Sequence, residues 1–522
     1  MNASLIGLEL GVLVLALGTL LMDLWLPAER KRTLGYVAAA GVGLLLLSSF
    51  VRPPPTSQIE VRVAETTNAA GVVQAAAATP TPASANSGTN APTAIPLAWK
   101  ITSPTFGNGY VMDELALFFK RFFLLAALIV LLMAAEFSNR IPTGISEFYS
   151  LTLFALAGMM FAASANDFAM MFVAIELITI TFYVLTSFQH NRLNSLEAGV
   201  KYLILGALAS SFMVYGIALV YGTSGTMNFP ELAVKAKALS GQPLFLLGLL
   251  LVLSGLAFKI AAFPLHIWAP DVYQGSPAPA TAFLAVGSKA AGVVLLLRFV
   301  LGSLPPEITG RWKLLIMVMS AVTILYGSLC AIPQRNLKRL LGYSSIANGG
   351  YLLLGVAAMS NAGVAAILYY LGGYLFTVLA AFTVICVVLR ASDVEDISGL
   401  AGLHQRSPLL AGAMTLSMVS LAGVPPLAGF FGKFLLFKAA LEQGPAYYWL
   451  IGVAIVGVVI SLYYYFGVIR AIYWSQQPAD LSPLPVSIPL KVSLATCIGG
   501  MLLLGVYPNA LLHLTNRIVP AW

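Results

Sequence analysis

Stretches of about 20 apolar residues recur along this chain, each long enough to carry an α-helix through the hydrocarbon core of a bilayer. Two lie before residue 51, one near Ser4 to Trp25 and one ending near Phe50. Twelve more follow, at roughly 115–134, 148–164, 167–187, 198–222, 243–268, 277–301, 312–332, 343–360, 363–389, 408–440, 447–474 and 490–513. In hydrocarbon only helices and closed barrels satisfy their own backbone hydrogen bonds. The ten-residue apolar/polar alternation of barrel strands is missing. The chain therefore reads as an all-α polytopic membrane protein with about 14 transmembrane helices. Composition agrees: 9% of the 522 residues are charged and 59% are hydrophobic, with a mean hydropathy of +0.89. A soluble domain carries about 25% charged residues, so a water-soluble enzyme is excluded.

The links between the runs set the organisation. The first run lacks a basic leader and carries Glu9, and it ends at Asp23 with no small-residue cleavage site, so it is a retained helix and not a signal peptide. Residues 1–50 then hold two N-terminal helices. Residues 51–110 are rich in Pro, Thr, Ala, Asn and Ser and have too little apolar content to fold alone, which predicts a disordered extramembranous loop. Basic residues gather in alternate links, at Arg30, Lys31 and Arg32, then Arg140, Arg192, Arg335, Lys338, Arg339, Arg390, Arg406 and Arg470. By the positive-inside rule these links face the cytoplasm, and both termini face outward. The formal charge of +8 is spread too thinly for a nucleic-acid partner. Cys330, Cys386 and Cys497 lie far apart in apolar stretches. His190, His266, His404 and His513 form no pair within one span. No metal, haem or other cofactor is expected in this chain.

Two runs contain prolines flanked by glycines, at Pro264 and at Pro425-Pro426. Proline removes a backbone donor and clashes with the preceding turn, so both helices are predicted to break inside the membrane. Paired breaks of this kind mark ion or substrate pathways in transporter folds.

The most informative residues are ionisable groups within apolar runs. Glu176 lies in MMFVAIELITITF, Lys259 in LSGLAFKIAAFPL, Lys289 in FLAVGSKAAGVVLLL and Lys433 in LAGFFGKFLLF; Lys201 lies near the start of the sixth run. A charge at mid-membrane costs about 2.5–3.5 kcal/mol on insertion scales, so such groups are kept for a purpose. Burial disfavours the charged form of an amine or carboxyl, and a nearby opposite charge restores it. A Glu176–Lys201 pair on adjacent helices, opening and closing, would then switch the proton affinity of Lys259. Glu9 and Asp23 read as capping or interfacial groups, and Tyr463-Tyr464-Tyr465 as packing or interfacial aromatics.

These lysine-bearing segments carry a resemblance. GLAFKIAAFPLHIWAPDVYQGSPAPATAFLAVGSKAAG (255–292), QRNLKRLLGYSSIANGGYLLLG (334–355) and LAGVPPLAGFFGKFLLF (421–437) resemble the antiporter-like membrane subunits of respiratory complex I. Within that family the pattern is similar to subunit N and to its chloroplast and cyanobacterial counterpart, subunit 2. The resemblance covers most of the chain from about Asp113 to Pro508. It implies two inverted five-helix repeats, each with a broken helix, in halves at 111–310 and 311–475, followed by a C-terminal helix in 476–522. It further implies proton translocation through Glu176, Lys201, Lys259, Lys289 and Lys433, with His266 a possible relay or helix cap. A lysine at 433, where subunit M has glutamate, fits subunit N. The implied partners are other complex I membrane subunits, including antiporter-like ones. NADH, flavin, iron–sulfur clusters and quinone are expected in other subunits, and the membrane is expected to be the bacterial inner membrane in preference to the thylakoid. The rival readings are an Mrp-type sodium/proton antiporter subunit, a membrane subunit of a hydrogenase complex, and a structural anchor with its charges locked in static pairs.

Overall fold

The computed structural model describes residues 3–27, 30–51, 59–61, 99–101, 108–141, 143–392, 394–474 and 482–519. Most of the 51–110 segment therefore lies outside the described residues. What is described there is a short antiparallel ribbon of β1 (Ile59–Val61) and β2 (Trp99–Ile101), with Glu60 opposite Lys100. Everything else of length is helical.

The chain begins with α1 (Gly7–Met22), α2 (Lys31–Val51), α3 (Glu114–Phe137), α4 (Ile145–Ala163), α5 (Phe168–Thr186) and α6 (Leu193–Ser224). A short α7 (Phe229–Leu239) lies in a link that the hydropathy pattern left open, and α8 (Pro243–Ile260), α9 (Trp268–Gly275) and α10 (Ala278–Phe283) follow. A π-turn over Leu284–Ser288 joins α10 to α11 (Lys289–Ser303). Next come α12 (Pro306–Ala331), α13 (Leu337–Ala357), α14 (Asn361–Ala391), α15 (Leu403–Arg406), α16 (Pro408–Ala422), α17 (Ala428–Leu441) and α18 (Tyr448–Trp474). The described chain closes with α19 (Ile488–Val506) and α20 (Asn509–Ile518), separated at Pro508 where one run had been expected.

Among the described residues, twelve helical segments are long and apolar enough to cross a membrane. The shorter α1 and the broken pair α16–α17 add two, which gives the expected fourteen. Many starts are set by side-chain caps. Asp113 accepts from the Ala116 amide at 2.7 Å and Asp167 from the Met170 amide at 2.6 Å, while Asn228, Asn336 and Ser360 do the same for α7, α13 and α14. The helices α10–α11, α13 and α14 are buried along nearly their whole length, whereas α2, α6, α18 and α19 expose most of theirs. The three lysine positions deepest in the sequence pattern thus fall on or against the central helices.

Both predicted breaks are present. α8 ends at Ala261, a non-glycine residue at φ +57, and the helix resumes only at Trp268; Pro264 lies between. α16 ends at Gly423, φ +84, and the chain passes Pro425-Pro426 before α17 starts. Glycine suits position 423 twice over: it takes the left-handed conformation without cost, and a Cβ there would lie 3.1 Å from Cδ of Lys433.

The basic links that were expected to share one face are joined there by ion pairs. Glu136 binds Arg32 at 2.6 Å and Arg390 at 2.8 Å. Glu395 binds Arg192 at 3.0 Å and Lys338 at 3.2 Å. Asp23 binds Lys31 at 2.8 Å and accepts from Ser146 at 2.5 Å, which agrees with its reading as an interfacial group. Glu9 does not agree: it is fully buried, 2.6 Å from Lys120, a residue the sequence reading passed over.

Candidate proton-transfer row

Three lysines lie inside the bundle with relative exposures of 5% (Lys259), 3% (Lys289) and 5% (Lys433). Among the described residues none of them has a carboxylate within 4.0 Å. Their ammonium groups are solvated by neutral oxygens.

Lys259 stands in the last turn of α8, just before the break, and donates to the Thr179 hydroxyl on α5. The break leaves main-chain groups to satisfy locally: the Phe258 carbonyl accepts from the Trp268 indole at 3.0 Å, and the Phe263 amide donates to Thr323 Oγ1 at 3.0 Å. The next link is close. A Cβ on Gly292 of α11 would lie 2.9 Å from Cβ of Lys259, so α8 and α11 touch one turn from Lys289.

Lys289 follows directly on the π-turn, a wider turn that redirects the side chains after it and is frequent at functional sites. It donates to both the hydroxyl and the carbonyl of Ser345 on α13. The Ser345 hydroxyl also meets Tyr273 at 2.8 Å and accepts from Tyr374 at 3.2 Å, and the Tyr374 ring lies 5.6 Å from the ammonium.

From there α13 carries polar groups toward the second break. Ser344 is hydrogen-bonded to Tyr465 and accepts from Asn348 at 3.4 Å; Asn348 Oδ1 accepts from Tyr370 at 2.6 Å. A cavity of about 10 Å³, close to what one water occupies, is lined by Tyr273, Ser344, Tyr374 and Leu421 among others. The Leu421 carbonyl, at the C-terminal end of α16, accepts from Lys433 at 2.7 Å. Lys433 reaches back from α17 across the break and lies 5.0 Å from the Tyr351 ring. Its charge answers the negative end of the α16 dipole.

The expected Glu176–Lys201 pair is absent. Glu176 accepts from Ser210 at 2.5 Å, whereas Lys201 binds Asp271 at 2.7 Å and Glu197 at 2.7 Å. Asp271 also binds Arg339 at 2.5 Å, so Lys201 belongs to a triad that ties α6, α9 and α13 together. The reason is depth. Ser210 stands nine residues beyond Lys201, about 13 Å along α6 at 1.5 Å per residue. Glu176 does lie within electrostatic reach of Lys259. His266 is buried against Phe263 and Tyr326, with ring centroids 5.4 and 4.3 Å away; the helix after it starts at Trp268 without a side-chain cap.

The structure also brings in residues that the sequence reading left out: Thr179, Ser344, Ser345, Asn348, Tyr273, Tyr370 and Tyr374. Tyr465 had been read as packing, yet it is buried and bonded into this row, and Tyr464 is buried beside it; Tyr463 is exposed. The available signal was SSIANGGY (344–351), a polar run within an apolar helix. A larger cavity, about 330 Å³, opens instead at the ion-paired face, among Arg140, His190, Arg192 and Lys338. Among the described residues no group of three or more His, Cys, Asp or Glu is placed to hold a metal ion.

Comparison with known proteins follows this geometry. The family model described as NADH:quinone oxidoreductase/Mrp antiporter, transmembrane, matches residues 165–461, which span both breaks and all three lysines. Subunit N of NADH-quinone oxidoreductase from Desulforamulus reducens is 34% identical over 515 residues, covering 99% of this chain and 98% of that one. The chain belongs to the subunit N family. A chain of respiratory complex I from Thermus thermophilus with bound aureothin superposes with a TM-score of 0.73 at 29% identity, over 97% of this chain and 98% of that one. A chain of the Mrp complex from Dietzia shares the fold, with a TM-score of 0.78 at 21% identity and coverage of 99% and 97%. Fold alone thus leaves complex I and Mrp assemblies together, while sequence places this chain with the subunit N family.

Proposed function

We propose that this chain is a proton-translocating membrane subunit of NADH-quinone oxidoreductase, in which protons move along Lys259, Lys289 and Lys433. The observation that carries the reading is the row of three buried lysines held by hydroxyls and carbonyls, in a chain related to subunit N over its whole length. An amine without a carboxylate partner changes its proton occupancy at less cost than one in an ion pair. Glu176 modulates Lys259 through space, and Lys201 acts by fixing α9 through Asp271. His266, beside the first break, serves as a relay. Because these groups interact, they titrate as a set.

In this reading the halves at 111–310 and 311–475 each supply one broken helix. The complex holds NADH, flavin, iron–sulfur clusters and quinone in other subunits, and the partners of this chain are its other membrane subunits, antiporter-like ones included. The membrane is the bacterial plasma membrane, and the face bearing Arg140, Arg192 and Lys338 is cytoplasmic. Static ion pairing, the anchor alternative, describes Lys201, whereas Lys259, Lys289 and Lys433 have no ionic partner within 4.0 Å among the described residues.

Replacing Lys259 or Glu176 by Ala is expected to remove this subunit's share of the protons pumped per electron, with assembly of the complex intact. Full coupling in either variant, measured in proteoliposomes containing the purified complex, would sink the assignment.

A further inference from the structure

A second set of buried charges lies away from the lysine row. Glu9 on α1 and Lys120 on α3 are both fully buried, 2.6 Å apart. Lys120 also donates to the Tyr110 hydroxyl at 2.8 Å, and that hydroxyl donates toward the Leu5 carbonyl at 2.9 Å and Glu9 Oε1 at 3.0 Å. Next to them Arg298 of α11 grips Asp113 with two hydrogen bonds, at 2.7 and 3.1 Å, and donates to the Ala163 carbonyl at 2.8 Å. Lys120 lies within electrostatic reach of both Asp113 and Arg298. Glu9, Tyr110, Asp113 and Lys120 fall outside the region that the family model matches.

The geometry is uneven in a way that a purely structural pair does not need. Oε1 of Glu9 takes the contacts from Lys120 and Tyr110, while Oε2 is buried with no hydrogen-bond partner among the described residues. Leaving a carboxylate oxygen unsatisfied in an apolar site is costly, and the neutral carboxyl costs less there than the anion. The apolar residues Leu5, Ile6, Met112, Ala116 and Leu117 pack around the site, and the Ser164 hydroxyl lies beside Tyr110. The helix that supplies Arg298, α11, also carries Lys289, nine residues earlier and, at 100° per residue, on its opposite face.

We propose that Glu9, Lys120 and Tyr110 form a second protonatable site, in which Glu9 takes up a proton beside the α11 helix that carries Lys289. This rests on the proton-translocating reading. In the step, Lys120 passes a proton to Glu9: an N–H bond breaks, an O–H bond forms, and the ion pair becomes a neutral pair. Lys120 then regains a proton from a hydronium ion, which leaves as water, so the site has gained one proton and one positive charge. Asp113 and Arg298 bind each other and take no part in the transfer.

The test uses the intact complex in proteoliposomes. Glu9→Gln alone strands a buried ammonium, so the informative variant is the neutral pair Glu9→Gln/Lys120→Gln, with Lys259→Ala in a parallel preparation. The expected result is a complex that assembles, loses a protonated-carboxyl infrared band present in the unaltered complex, and pumps fewer protons per electron. Unaltered pumping in the double variant, with a loss in Lys259→Ala, would make the pair structural and overturn the proposal while leaving the reading of the row in place. Unaltered pumping in both would overturn the reading as well. Should the double variant fail to assemble, Tyr110→Phe decides, since it removes the bridging hydroxyl and no charge: slower pumping supports the site, and an unchanged rate overturns it.

Discussion

The ion-paired face and the lysine row use the same side chains to opposite ends. At the face, Glu136 holds Arg32 and Arg390, and Glu395 holds Arg192 and Lys338, so each charge meets an opposite one. In the row, Lys259 meets Thr179, Lys289 meets Ser345, and Lys433 meets the Leu421 carbonyl. A paired charge is expensive to neutralise because its partner is left behind, and it therefore behaves as a fixed fastening between helices. A charge held by neutral oxygens leaves only weaker contacts behind when it loses its proton. Burial of a charge alone does not indicate a proton carrier; what the charge is bound to does.

The contrast can be broken most forcefully from the paired side. Glu136→Ala leaves Arg390 and Arg32 facing each other across a partly buried site. It is expected to cost about 2–3 kcal/mol, below most of the range of roughly 3–5 kcal/mol for broken buried pairs because Arg32 keeps access to water. A lowered melting temperature of the complex, with an unchanged proton-to-electron ratio in the fraction that assembles, would bear this out. A normal melting temperature would show that the pairing contributes little.

A smaller effect is expected in the row. Ser345→Ala removes one of the two Ser345 oxygens that accept from Lys289, and it also takes a partner from Tyr273 and Tyr374. A hydrogen bond to a charged group is worth about 1.5 kcal/mol at the low end, which corresponds to a roughly tenfold slower transfer. Pumping rate under a fixed driving force, in the fraction of the complex that assembles, checks it. A rate equal to that of the unaltered complex would take Ser345 off the path.

Much of this was legible in the sequence. Spans, both breaks and the three buried lysines follow from run length, proline placement and charge placement, all of which are local along the chain. What was not legible depends on how far one helix slides past another. Glu176 and Lys201 lie on consecutive helices, yet their depth differs because the 187–192 link and the packing of α5 on α6 set the register. Lys120 drew no notice in the sequence, since its partner Glu9 stands more than a hundred residues earlier. Thr179 bonds back to its own turn, to the Ile175 carbonyl at 2.5 Å, as hydroxyls commonly do in membrane helices, and nothing in the sequence shows that it also meets a lysine.

The central claim, that the lysines of the row, held by neutral oxygens, carry protons while Lys338 at the ion-paired face carries structure, is tested most directly by one paired measurement. It is the number of protons pumped per electron by the reconstituted complex with Lys289→Met or with Lys338→Met. The account predicts that Lys289→Met assembles normally and loses this subunit's share of protons, while Lys338→Met weakens assembly, because Glu395 loses a partner, and keeps the ratio in what assembles. A full ratio in Lys289→Met, or an equal loss in both, would contradict it.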